Sequence, residues 1–408
     1  MLSRMRIVIL AIIFIVALSV VIIPVTIALT MGKTTQGTSE PTVNTAITST
    51  TTTVTVYNNT MVAVATSSSS TTTTTIASRW IMTGSMNAVR QEHTASILLD
   101  GKVLVTGGYN DGYLNSAELY DPSTGNWTTT GNMNVARGYH TASILSNGKI
   151  LVTGGYNDGY LNSVELYDPS AGTWTITGSM HVARAYHTAS ILSNGKVLVA
   201  GGYNGNVSLN SAEIYDLSTG NWTTTKSMNV ARDYHTALIL SNGKVLVTNG
   251  KFQTIELYDP STGNWTITGS MNIPRYVHTT SILSNGKVLV TGGYNGNVSL
   301  NSAELYDSST GIWITTGNMN IVRSFHTASV LSNGKVLVNG GYTGVVLSSA
   351  ELYDPTTGNW TTTSSMNVAR RFHTASILSN GKVLITGGRN DDGSLNSAEL
   401  YYDQYISN

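Results

Sequence analysis

The chain has 408 residues, with 22 basic and 22 acidic side chains, a formal net charge of +0 and only 11% charged residues. So balanced a charge offers no basic footprint for a phosphate backbone, and nucleic-acid binding is not expected. The sequence contains no cysteine, which excludes disulfide frameworks, cysteine zinc sites, iron–sulfur clusters and thiol nucleophiles.

Ile7 to Met31 is a run of 25 residues without a charge, preceded by Arg4 and Arg6. A helix rising about 1.5 Å per residue crosses a hydrocarbon core of about 30 Å in roughly 20 residues, so residues 7–31 are expected to form a transmembrane signal anchor. A cleaved signal peptide, with an apolar region of about 7 to 15 residues, is the rival and implies a secreted product. The arginines before the span keep residues 1–6 cytosolic and send the rest across the membrane, a single-pass type II arrangement with an extracellular or lumenal C-terminal part. Thr34 to Ser78 then holds 25 Thr or Ser in 45 residues. That composition buries no core, and residues 32–78 read as a disordered stalk, extended if O-glycosylated.

The remaining chain repeats itself. Trp80, Trp127, Trp174, Trp222, Trp265, Trp313 and Trp360 are spaced by 47, 47, 48, 43, 48 and 47 residues, a period that signals a repeat architecture. Each unit runs through Arg-x-x-His-Thr, an Asn-Gly-Lys or Asp-Gly-Lys turn, a Gly-Gly or Asn-Gly pair, Glu-Leu-Tyr or Glu-Ile-Tyr, and Trp. Four short strands fit each unit. In the second unit they are expected at His140 to Leu145, Lys149 to Thr153, Val164 to Tyr167 and Trp174 to Thr177, each rich in β-branched or aromatic residues. Asn147-Gly148 predicts a type I′ hairpin turn, and Asp168 to Gly172 a longer one.

Paired glycines (Gly154, Gly155), then Glu165 and Tyr167 ahead of Asp168-Pro169, then Trp174, resemble the kelch β-propeller family in kind and order. The resemblance covers residues 80 to 402. It implies an all-β, seven-bladed kelch-type propeller of four-stranded antiparallel blades over residues 79–403, with a short tail at 404–408. The first recognisable strand, Trp80 to Thr83, lacks its blade, while the unit beginning at His373 lacks its fourth strand. The two are therefore expected to complete one another and close the ring.

Counting in register assigns one Arg, one Lys, one Glu and one Asp to every unit, so 28 of the 44 charges belong to the repeat. A charge that recurs in every blade serves something every blade needs, such as an ion pair or a capped turn. The same holds for His93, His140, His187, His235, His278, His326 and His373, read as hydrogen-bonded residues at the start of each inner strand, and for the Met residues from Met86 to Met366, read as core. A metal is not expected, because one ion needs about three or four converging ligands and not a wide ring of equal ones. No cofactor is expected.

Copper radical oxidases similar to galactose oxidase also carry kelch-like propellers, and Tyr139-His140, Tyr186-His187 and Tyr234-His235 superficially invite that assignment. That family's cofactor includes a tyrosine cross-linked to cysteine, which this chain lacks. No Gly-x-Ser-x-Gly elbow occurs either. The differences between units fall on the second-to-third strand loops and the interblade connections, which share one face of the propeller. Candidate ligand residues there are Gln91, Glu92, Asp111, Tyr139, Asp158, Tyr186, Asp233, Tyr234, Lys251, Phe252, Tyr276, Arg371, Arg389, Asp391 and Asp392. The Asn-Asp-Gly sites at Asn110 and Asn157 read as tight turns. N-glycosylation sequons stand at Asn58, Asn126, Asn206, Asn221, Asn264, Asn297 and Asn359. The reading is a non-enzymatic binding module on a membrane anchor, with a protein or carbohydrate ligand. Its rivals are an oxidase or hydrolase using a pocket at the propeller axis, and an intracellular adaptor.

Overall fold

The computed structural model describes residues 51–57, 60–66, 79–248 and 253–403, which fall in two compact units, one ending at Ile76 and the other beginning at Ala77. In the first unit Thr51–Tyr57 and Thr60–Thr66 form an antiparallel hairpin, with Thr51 opposite Thr66 and Tyr57 opposite Thr60. These residues fall within the segment 32–78 read from sequence as a stalk. The segment is dense in Thr and Val, whose branched Cβ restricts χ1 and favours the extended backbone. The span at 7–31, the remainder of the stalk and the tail lie outside the described residues. No helix among the described residues is long and apolar enough to cross a membrane.

The second unit consists of seven four-stranded antiparallel sheets arranged as the blades of a propeller. The first blade runs from Thr94–Ile97 at the axis through Val103–Thr106 and Ala117–Asp121 to Asn126–Thr129 at the rim. Each strand's sequence fits its layer. Val-Leu-Val is buried throughout and reads as a continuous apolar run, whereas Asn-Trp-Thr-Thr at the rim is largely exposed. The seventh blade joins Thr374–Ile377, Val383–Thr386 and Ala398–Tyr402 to Arg79–Thr83 from the start of the unit. Trp80 lies opposite Tyr401 and Thr83 opposite Ala398, which is the closure expected from the sequence.

The turn at Asn147-Gly148 differs from its expectation. Leu145 N–H bonds to Lys149 O at 2.8 Å and Gly148 N–H to Leu145 O at 2.9 Å, so the loop has three residues, Ser146 to Gly148. Only Gly148 is left-handed (φ 80°). Asn147 instead uses its Oδ1 to accept the Lys149 N–H at 3.1 Å, so a side-chain bond replaces the second left-handed residue that a type I′ turn needs.

The core is divided among the seams between blades. One cluster packs Leu98, Leu104, Ala117 and Met133 against Ile150, Val152, Tyr167 and Trp174 of the next blade. A cluster of the same kind fills each of the other seams. Trp127 Nε1 donates to Gly84 O of the neighbouring blade at 2.7 Å. A Cβ at Gly84 would lie 2.3 Å from Gly125 O, so this seam closes only over glycine.

Candidate ligand face

The repeat charges are absorbed by the scaffold. Arg137 Nη2 meets Glu165 Oε1 at 2.9 Å with both side chains buried. Glu165 also accepts the backbone N–H of Asn134 and Val135, at 2.7 and 3.0 Å, on the segment that enters the blade. Arg137 Nη1 donates to Gly154 O at 2.7 Å and Ser163 O at 3.0 Å. Each pair thus clasps an interblade connection to its second-to-third loop, and the pairing recurs in all seven blades. On the opposite face Lys149 pairs with Asp168 at 3.0 Å. Asp168 caps its own turn by accepting the Ser170 N–H and O–H at 3.0 and 2.6 Å, and these bonds hold its carboxyl well below the usual range.

The repeated histidines bridge blades. His140 Nε2 lies 3.0 Å from Thr94 Oγ1 and 3.3 Å from Thr106 Oγ1 of the preceding blade. Burial, reinforced by the Arg137 charge, pushes His140 down to about 3. The ring of imidazoles is therefore neutral near pH 7 and part of the framework.

What remains is the face of the second-to-third loops. At its centre one residue from each blade has a left-handed backbone: Glu92, Tyr139, Tyr186, Tyr234, Val277, Phe325 and Phe372, with φ between 47° and 58°. Their backbones hand hydrogen bonds around the axis. Glu92 N–H donates to Phe372 O at 3.1 Å, Tyr139 N–H to Glu92 O at 3.4 Å and Tyr186 N–H to Tyr139 O at 3.2 Å. The series continues through Tyr234, Val277 and Phe325 at 3.3, 3.4 and 3.2 Å. Side chains follow the same path. Ring centroids of Tyr139 and Tyr186 are 4.4 Å apart, those of Tyr186 and Tyr234 are 4.1 Å apart and stacked, and those of Phe325 and Phe372 are 4.4 Å apart.

Glu92 is the one acid in this ring. Burial raises its carboxyl to about 7, against the opposing pull of a hydrogen bond with Tyr139 and the charges of Arg371 and Arg389. The Arg371 guanidinium lies over aromatic neighbours, 4.4 Å from the Tyr342 centroid and 5.2 Å from that of Phe372. Farther from the axis, Tyr109, Tyr113, Tyr156, Tyr160 and Tyr203 form an edge-to-face ladder across three blades, with centroids 5.0 to 5.5 Å apart. Across the ring from Glu92, Asp233, Tyr234, Tyr276, Val277, Tyr294, Phe325 and Ser208 line a recess of about 380 Å³. Below the ring, a second cavity of about 450 Å³ lies between the innermost strands of the first four blades, lined by the repeated Ala, Ser and Ile positions and Leu238.

Residues 92–267 match the KLHDC2/KLHL20/DRC7 Kelch-repeats domain, and residues 275–320 and 323–367 match the Kelch motif. The chain belongs to the kelch-repeat propeller family. No curated protein matches this kelch chain. A solved structure described as a novel fungal alcohol oxidase of the AA5 family, in complex with copper, is similar over 79% of the kelch chain and 76% of its own, at 20% identity and a TM-score of 0.68. That likeness is one of fold alone. Solved chains that match number 892, so the fold by itself selects no chemistry.

The kelch framework sorts the residues singled out from sequence. Glu92, Tyr139, Tyr186 and Tyr234 meet in the axial ring, and Asp233 and Tyr276 meet in the recess. Arg371 and Arg389 bond through their backbones, N–H to O at 3.0 and 2.8 Å, on the rim beside Glu92. Gln91 is buried and bridges to Tyr109. Asp111 and Asp158 are exposed at left-handed turn positions (φ 52° and 53°) away from the ring. Asp391 and Asp392 are exposed in the turn of a short ribbon joining Arg389 to Ser394, and Asn390 Oδ1 accepts the Asp392 N–H at 2.9 Å. Lys251 and Phe252 lie outside the described residues, as does Asn58. The candidate residues named from sequence do not include Ser208, Tyr294, Phe325 or most of the tyrosine ladder. Phe325 and Phe372 share the register position of Tyr139, and Tyr156, Tyr203 and Tyr294 each follow a Gly pair, which is the signal that marked them.

Proposed function

We propose that the chain is a non-enzymatic binding module displayed outside the cell or in a lumen on a single-pass anchor at residues 7–31. The carrying observation is the division of labour between the two faces. Every Arg–Glu pair of the repeat is consumed by the framework, whereas the left-handed ring gathers aromatic side chains and one acid on the face where the blades differ. The first strand of the propeller begins at Arg79, opposite Tyr402 and beside the third-to-fourth turns, on the face away from the ring. Kelch propellers bind proteins, and a protein or glycan ligand suits a face of this size and aromaticity. The sequon residues Asn126, Asn206, Asn221, Asn264, Asn297 and Asn359 are all exposed, as glycosylation in a secretory compartment requires.

The test is protease treatment of intact cells expressing the full chain with a C-terminal tag. Loss of the tag supports surface display. Survival of the tag until detergent is added overturns display at the surface and directs the search to lumenal or cytosolic partners.

A second reading, an enzyme working at the axis, draws on Glu92, a carboxyl raised to about 7 beside Tyr139 and two arginines. Turnover in a substrate screen, abolished by E92Q, would replace the binding reading with this one.

A further inference from the structure

Arg371 and Arg389 stand directly opposite one another in the seventh blade, bonded in both directions, N–H to O, at 3.0 and 2.8 Å. Side chains directly opposite in an antiparallel bridge lie on the same side, so two guanidinium groups share one patch of the ring face. In every other blade whose corresponding bridge is described, a tyrosine (Tyr109, Tyr156, Tyr203, Tyr294 or Tyr342) faces an uncharged residue at these positions. Like charges set directly opposite destabilise a strand pair. The framework does not require them, since those blades close without them.

Within the patch the charges stay unanswered. Arg371 is braced over the rings of Tyr342 and Phe372, but its buried Nε has no hydrogen-bond partner, and among the described residues neither arginine enters an ion pair. Asp391 and Asp392 are exposed in the turn of the ribbon from Arg389 to Ser394, where Asn390 Oδ1 accepts the Asp392 N–H and Asn390 Nδ2 lies 3.4 Å from Asp392 Oδ2. Glu92 feels both arginines, yet burial holds its carboxyl at about 7, so near neutrality it supplies only part of one negative charge. A guanidinium presents a planar fork of N–H donors to an oxyanion. A carboxylate brings one charge and two oxygens to two such forks. A phosphate monoester brings a charge of about −1.5 to −2 at pH 7 and three acceptor oxygens, which suits the opposed pair better.

We propose that Arg371 and Arg389 together bind a phosphate monoester, carried by a free organic molecule or by a modified side chain of a partner. The proposal rests on the reading of this face as a ligand surface, and it is independent of membrane display.

The full chain, solubilised in detergent, is titrated with phenyl phosphate and with benzoate, and binding is followed by saturation-transfer NMR on the ligand ring protons. Phenyl phosphate is expected to bind at least about tenfold more tightly than benzoate. R389Q and R371Q are each expected to abolish that preference. R389Q is also expected to melt no lower than wild type, because it relieves the opposed charges, so its loss of binding is not a loss of fold. K149Q on the opposite face serves as the control and is expected to bind as wild type. Equal binding of phenyl phosphate and benzoate overturns the proposal, as does a preference that survives in both R371Q and R389Q. A phosphotyrosyl peptide that binds at least about tenfold more tightly than phenyl phosphate identifies a modified protein as the source of the group, and equal binding identifies a free ester. Failure here with tag loss on intact cells leaves the displayed binding module standing and removes only the phosphate ligand.

Discussion

Arg137 Nη2 and Glu165 Oε1 lie 2.9 Å apart, both side chains buried, and each also satisfies backbone groups of the segments it joins. Lys149 and Asp168 in the same blade are 3.0 Å apart but partly exposed. The two pairs are expected to differ in worth because removal of one buried partner strands the other charge out of water. E165Q should destabilise the propeller by about 3 kcal/mol or more, whereas K149A should cost under about 1 kcal/mol. Urea unfolding followed by tryptophan fluorescence measures both, and equal effects would refute the assignment of the Arg–Glu pair as the clasp.

The histidine ring predicts acid lability. His140, His235, His278 and His373 are pushed down to about 3, chiefly by burial, and His93, His187 and His326 are held well below their ordinary value for the same reason. A base whose folded pKa is depressed binds more protons when unfolded. Its stabilising contribution is complete above about 6.5 and declines as pH falls toward the folded value. At pH 5 each of the four imidazoles held at about 3 loses about 2 kcal/mol. Together they reach the scale of a whole domain's stability, about 5–15 kcal/mol. The propeller should unfold between about pH 5 and 4, and a melting temperature that stays level from pH 7 to 4 would contradict the neutral ring.

Glu92 carries the opposite sign. Its carboxyl is raised to about 7, first by burial. The native state therefore holds a proton that the unfolded chain has released above about 4.5, and stability falls as pH rises from about 4.5 through 7. The shift sets a ceiling of about 3 kcal/mol, reduced by solvent screening at this half-buried site. E92Q should melt higher than wild type at pH 8 and about equally at pH 4.5. The difference between the two proteins isolates Glu92 from the histidines, and a constant difference at all pH values would sink the assignment.

Closure of the ring depends on Trp80, which is 8% exposed, stands opposite Tyr401 and donates Nε1–H to Ser364 O at 2.8 Å. W80A should cost about 3–5 kcal/mol. Its effect should be local at first, with hydrogen exchange accelerated in Ala398–Tyr402 before Ala212–Asp216 of the third blade. Uniform acceleration would show that the first strand does not fasten the seventh blade.

Much of this framework is legible in the residues. The Trp spacing reveals the repeat, the incomplete units at Trp80 and His373 reveal how it closes, and the recurrence of Arg137, Glu165 and His140 in every unit marks them as framework. These features are local patterns that each unit repeats in the same register. The three-residue loop at Ser146 to Gly148 is less legible, because it rests on a side-chain bond that the Asn-Gly pair does not advertise.

The sequence by itself determines how many blades there are, how they close and which charges they consume. Only the tertiary structure decides which variable residues meet. Glu92, Tyr139, Tyr186, Tyr234, Val277, Phe325 and Phe372 are not residues that choose a left-handed backbone on their own. They adopt it where neighbouring blades converge on the axis and their backbones bond to one another. That convergence stacks Tyr186 on Tyr234 and gathers Asp233, Tyr276, Tyr294 and Phe325 around one recess. No period in the sequence records such meetings, because they arise from the geometry of the closed ring and not from the register of any single blade.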